Sequence, residues 1–183
     1  MAQALILSGS PRKGGNTDDC VAFVAQRLAE AGHVAEAIRI YEQRIEPCRG
    51  CRACMVQKRC AISGDDFEAL WGRIRGADLL VLAAPVYWMG PPGGMKDLVD
   101  RTHGYYALGR PLSGLGAALL SVAGDEGCWG PHEGVLSSWL RVYGATMLDP
   151  VRILAREKGE AMASPAALRK LERWSEKLLA ELG

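Results

Sequence analysis

Short aliphatic runs and longer amphipathic stretches alternate five times along this chain, and few folds accommodate such a pattern. The runs Leu5–Leu7, Val34–Ile40, Asp78–Ala83, Gly116–Val122 and Thr146–Leu154 read as strands bounded by turn-forming residues. Between the first two, Val21, Val24, Leu28 and Ala31 recur at helical spacing ahead of Gly32, with Thr17 as the expected N-cap. Ser63-Gly64-Asp65-Asp66 has the spacing of a capping box before the stripe Phe67, Leu70, Trp71, Ile74. A third helix is expected after Pro91-Pro92, carrying Met95, Leu98, Val99 and Thr102 inward, and a fourth after Pro131, ending at Gly144. The last opens at Ser164-Pro165 and turns Leu168, Leu171, Trp174, Leu178 and Leu182 to one side. Each parallel crossover needs a helix and is right-handed, so the pattern predicts a single α/β domain over residues 1–183, its mostly parallel sheet covered on both faces.

The charge balance excludes whole classes of partner. Lys and Arg number 22 against 21 Asp and Glu, which leaves no electrostatic footprint for nucleic acid or an anionic membrane. No apolar run approaches the roughly twenty residues of a membrane span, and Ala4–Leu7 is too short for a secretory signal. A cytoplasmic protein is the expectation.

The first strand runs into Ser8-Gly9-Ser10-Pro11-Arg12-Lys13-Gly14-Gly15-Asn16-Thr17 and then the first helix. Hydroxyls, an amide, cations and small residues meet there at the positive end of a helix, an arrangement that suits a phosphate. Gly15-Asn16 stands where a nucleotide-triphosphate loop needs Lys and Ser or Thr, and the dinucleotide fingerprint is missing. A single terminal phosphate held without metal is the better match. The third strand ends in Pro85-Val86-Tyr87-Trp88-Met89-Gly90. In a sheet ordered 2-1-3-4-5, strands one and three adjoin at the switch point, where this topology binds flavin mononucleotide (FMN). Pro85, Val86, Tyr87 and Trp88 would then line the ring, and the loop containing Gly124 reaches the same rim.

Between Arg44 and Gly64 the periodicity lapses, and this cysteine-rich interval contains Cys48, Cys51, Cys54 and Cys60 with spacing C-x2-C-x2-C-x5-C. The first three resemble the compact cysteine triplet of bacterial ferredoxins. Arg44, Arg49, Arg52, Lys58 and Arg59 against Glu46 alone would offset four thiolates. Zinc, a disulfide and free thiols remain open alternatives. Cys20 reads as a small buried hydrophobe, Cys128 lies in the third flavin-side loop, and His33, His103 and His132 have no partner at motif spacing.

Ser8-x-Ser10-Pro11-Arg12-x-x-x-Asn16-Thr17, Pro85-Val86-Tyr87-Trp88 and Met95-Lys96 through Asp100-Arg101 together resemble the flavodoxin-like NADPH-dependent FMN reductase superfamily, and more narrowly its iron-sulfur flavoproteins. The resemblance spans most of the chain. It implies a flavodoxin-like, doubly wound five-stranded parallel sheet of order 2-1-3-4-5 with the cysteine insertion after strand two. It further implies FMN at Ser8, Ser10, Pro11, Arg12, Asn16, Thr17, Pro85, Val86, Tyr87, Trp88 and Gly124. Cys48, Cys51, Cys54 and Cys60 would supply all four ligands to one [4Fe-4S] cluster. A homodimer or homotetramer with flavins near subunit interfaces is also implied. The expected function is electron transfer between FMN, the cluster and a ferredoxin-like carrier or small acceptor. Alternatives are a cluster-free reductase on which NAD(P)H docks transiently, and a zinc- or disulfide-based sensing domain. The cofactors would carry the chemistry, and no side chain is assigned a catalytic role.

Overall fold

In the computed structural model, which describes residues 1–183, the first aliphatic run forms β1 (Gln3–Ser8), flanked in parallel by β2 (Val34–Arg39) and β3 (Leu79–Pro85). β4 (Gly116–Ala123) lies beside β3, and the far side of β4 carries both β5 (Thr146–Met147) and β6 (Val151–Leu154). The order is β2-β1-β3-β4-β5, with β6 also on β4, as expected for the flavodoxin-like topology. The fifth row is broken into two pieces. Met147 pairs with Ala117 and Val151 with Leu120, so four steps on one strand face three on the other, a one-residue bulge beside Pro150, which has no N–H to give the ladder.

Successive side chains on a strand point to opposite faces, and β1, β3 and β4 are buried on both. One layer packs Cys20, Val24 and Leu28 of α1 (Asn16–Glu30) and Leu171, Trp174 and Leu178 of α7 (Pro165–Leu182) against Ile6, Val81 and Leu120. The other packs α3 (Phe67–Gly76), α4 (Gly93–Arg101) and α5 (Trp129–Val142) against Leu7, Leu80 and Leu119. Two four-residue helices complete the set, α2 (Cys54–Gln57) in the cysteine loop and α6 (Glu160–Ala163) before α7. Ser164 caps α7, its hydroxyl accepting from the Ala167 amide at 3.3 Å with Pro165 opening the helix, as its sequence foretells.

Three helix starts differ from expectation. Gly15, not Thr17, is the N-cap of α1, and Thr17 is buried in the first turn. α5 begins at Trp129, ahead of Pro131, because proline is tolerated throughout a first turn that lacks N–H acceptors. The capping box before α3 does not close, since Asp66 is itself the N-cap and the carboxylates of Asp65 and Asp66 tie down the preceding loop. Asp66 accepts from the Arg44 amide at 2.7 Å and Asp65 from the Glu46 amide at 3.0 Å. The Asp66 amide donates in turn to the Arg44 carbonyl at 2.8 Å, so the base of the cysteine loop is tied shut.

Candidate functional site

The carboxyl ends of β1, β3, β4 and β6 surround a cavity of about 310 Å³. Ser10, Arg12, Asn16 and Thr17 line it from the first loop, Pro85, Val86 and Tyr87 from the second, and Gly124 from the third. Ser8, Pro11 and Trp88 do not line it. The Ser8 hydroxyl turns away to donate to Asp18 at 2.6 Å. Pro11 is exposed on the loop, and Trp88 stands fully exposed at the tip of a hairpin.

Local chemistry shapes the first loop. A Cβ on Gly9 would sit 2.6 Å from Cε and 3.2 Å from Cβ of the buried Met95, so a side chain there would crowd the contact between β1 and α4. Asp18, whose carboxylate also accepts from the Gly14 amide at 2.9 Å, pairs with Arg39 at 2.9 Å. Arg39 in turn donates to the Ser10 carbonyl at 3.1 Å. The acid is thereby neutralised and the loop braced from β2. The amides of Asn16, Thr17 and Asp18 donate to no group of the chain, leaving the start of α1 open to an anion.

The second loop is a two-residue hairpin. Tyr87 and Gly90 exchange amide-to-carbonyl hydrogen bonds at 2.9 Å in both directions. Trp88 and Met89 at its turn hold positive φ of 48° and 62°, a conformation that favours glycine and asparagine. His132 of α5 is buried, its Nδ1 without a hydrogen-bond partner. Burial holds its pKa below the ordinary value of 6.5, against the opposing pull of a backbone hydrogen bond to Gly90 and the charge of Glu133, so it is neutral at pH 7.

A second cavity, of about 290 Å³, gathers all four loop cysteines. None is in a disulfide. Arg101 and Gly104 close its inner wall, and a Cβ on Gly104 would lie only 2.7 Å from Cβ of Cys54. The Arg101 side chain is fully buried and donates from Nε to Sγ of Cys60 at 3.1 Å. No three Cys, His, Asp or Glu side chains converge closely enough to grip a single ion. Four cysteines lining one cavity nonetheless form, by their chemistry, a soft donor set suited to iron and sulfide. Cys20, by contrast, is buried under α1, and burial with the charge of Asp19 pushes its thiol up to about 12, so it stays protonated.

The NADPH-dependent FMN reductase family matches residues 2–158. The chain belongs to that family. As an FMN reductase family member it is a flavin-dependent oxidoreductase, and its first cavity suits the cofactor, with an anion-ready helix start at one end and an apolar loop at the other. It is 32% identical over 141 residues to an iron-sulfur flavoprotein of Methanosarcina thermophila, covering 75% of this chain and 72% of that one. It is 35% identical over 96 residues to an iron-sulfur flavoprotein of Methanocaldococcus jannaschii, covering 52% of this chain and about half (49%) of that relative. Among solved structures, an NAD(P)H:quinone oxidoreductase from Methanothermobacter marburgensis superposes with a TM-score of 0.75 at 20% identity, covering 97% of this chain and 96% of that chain, a likeness of fold. No helix of this chain is long and apolar enough to cross a membrane.

Ala155, Arg156 and Lys158 after β6 form a further wall of the first cavity, one that no motif in the sequence marks. The available signal is topological. In an open parallel sheet every loop leaving a strand's carboxyl end reaches the same rim, and the fifth row is no exception.

Proposed function

We propose that the protein transfers electrons between FMN in the first cavity and a [4Fe-4S] cluster on Cys48, Cys51, Cys54 and Cys60, exchanging them with a ferredoxin-like carrier or a small acceptor. The observation that carries this reading is the four unbridged cysteines lining one cavity, at the far end of the helix that follows the loop after β3. The iron-sulfur flavoproteins among its relatives support it. FMN would supply the exchange between two-electron and one-electron carriers. Ser10, Arg12, Thr17 and the free amides of α1 would hold the phosphate, Pro85, Val86 and Tyr87 would flank the ring, and Gly124 would border it. Ser8 and Pro11 would act by shaping the loop, and Trp88 would act at the rim, since none of the three lines the cavity.

A second reading, a cluster-free reductase on which NAD(P)H docks transiently, is favoured by the wide spacing of the thiols, which converge on no single point. Anaerobic purification with an absorption spectrum and iron and sulfide analysis separates the two. About four irons per chain beside flavin are expected. Flavin alone, even after anaerobic reconstitution, selects the reductase. Cys51→Ala is expected to abolish iron binding while FMN occupancy stays intact, and loss of both together would refute two separate sites.

A further inference from the structure

We propose that Lys158, held over the first loop by Asn16, is the cation that closes on the FMN phosphate. The inference rests on the family's FMN site and adds a residue from outside its motif.

Four cations line the cavity, and their partners separate them. Nζ of Lys13 lies 3.2 Å from Glu42, directed toward the edge of β2. Arg156 is paired with Asp125 and donates from Nε to the Gly124 carbonyl at 2.8 Å. Arg12 and Lys158 make no ion pair and no side-chain hydrogen bond within the chain. Of these two, only Lys158 comes from the opposite side of the cavity. Its Nζ stands above the first loop, 3.5 Å from where a Cβ on Gly14 would be. The local carboxylates do not compete for it. Asp18 is bound to Arg39, Glu42 to Lys13 and Arg39, and Glu160 accepts from the Arg156 and Glu157 amides at 2.6 and 2.9 Å.

Asn16 fixes where this lysine stands. Its Nδ2 donates to the Glu157 carbonyl at 2.8 Å and its Oδ1 accepts from the Ala161 amide at 3.2 Å. Both polar ends of the side chain are thus engaged by the residues on either side of Lys158, and the Asn16 side chain is a positioning group. A dianion between the amides of α1, Arg12 and Lys158 would be held by charge-assisted hydrogen bonds from two segments distant in sequence.

The test uses riboflavin, which shares the ring and ribityl chain of FMN and lacks the phosphate. Flavin-stripped protein is titrated with each, following quenching of flavin fluorescence. Lys158→Ala is expected to weaken FMN binding by about tenfold or more and to leave riboflavin binding unchanged. Lys158→Arg should retain most of the affinity. Asn16→Ala should produce the same selective loss in the native background and little further loss in Lys158→Ala. Equal weakening of both flavins by Lys158→Ala, or no change in either, would overturn the assignment. If the native protein binds FMN no better than riboflavin, the phosphate site itself fails, an outcome distinct from failure of the lysine alone.

Discussion

The Arg101 guanidinium has no exposed surface, yet it reaches five acceptors on the cysteine loop and its flank. Beyond Cys60 it donates to the Glu46 carbonyl at 2.8 Å, the Ile62 carbonyl at 3.2 Å and both oxygens of Asp65 at 2.5 and 3.3 Å, and it lies 4.5 Å above the Phe67 ring. Burial pushes the Asp65 carboxyl up, but the hydrogen bonds from Arg101 and the Glu46 amide outweigh it and hold the group below the usual carboxylate range. A depressed carboxyl pKa adds stability at neutral pH that is lost as the pH falls through that lowered value. Arg101→Met is expected to strand Asp65 and to cost about 3–5 kcal/mol in urea unfolding, with faster trypsin cleavage within residues 44–64. A cost below about 1 kcal/mol would show that the loop is held by something else. None of this is legible along the chain. An arginine at the end of a helix reads as solvated, and its partners lie 36 to 55 positions away. The four cysteines were legible because their spacing is local.

At the scale of elements, the loop after β3 was readable as a loop and not as a hairpin. Trp88-Met89 gives no two-residue turn signal, since left-handed backbone there normally calls for Asn-Gly. Strain of this kind persists at sites where position matters more than stability. Met89→Gly is therefore expected to raise unfolding stability by about 1 kcal/mol, measured by thermal melting of the flavin-free protein. Lower stability would mean that the Met89 side chain contributes more than its backbone costs. The helices with strong apolar stripes were legible in existence and in buried face, and their first turns less so. Asp65, Asp66 and Asn16 each have local capping chemistry, yet tertiary partners claim their side chains.

For the whole molecule, a parallel sheet covered on both faces followed from alternation and the handedness of crossovers and its order from the family resemblance, while the bulge in the fifth row depends on pairing that no local pattern reports. The two apolar layers lie on opposite faces, so damage to them should add. Leu7→Ala and Leu120→Ala, one in each layer with β3 between their strands, are each expected to cost about 2–5 kcal/mol. The double variant should equal their sum within about 0.5 kcal/mol in denaturant titrations, and a larger discrepancy would mean that the layers share strain through the sheet. The broken fifth row has a consequence for self-association. An outermost strand with free carbonyls is a template for runaway stacking of chains. Here the kink at Pro150 spoils the template, and α7 occupies carbonyls along it, Trp174 donating to Asp149 at 2.7 Å and Lys170 to Arg152 at 3.3 Å. Two carbonyls of that border are thereby withheld from a stray β-segment, and Pro150 offers it no N–H.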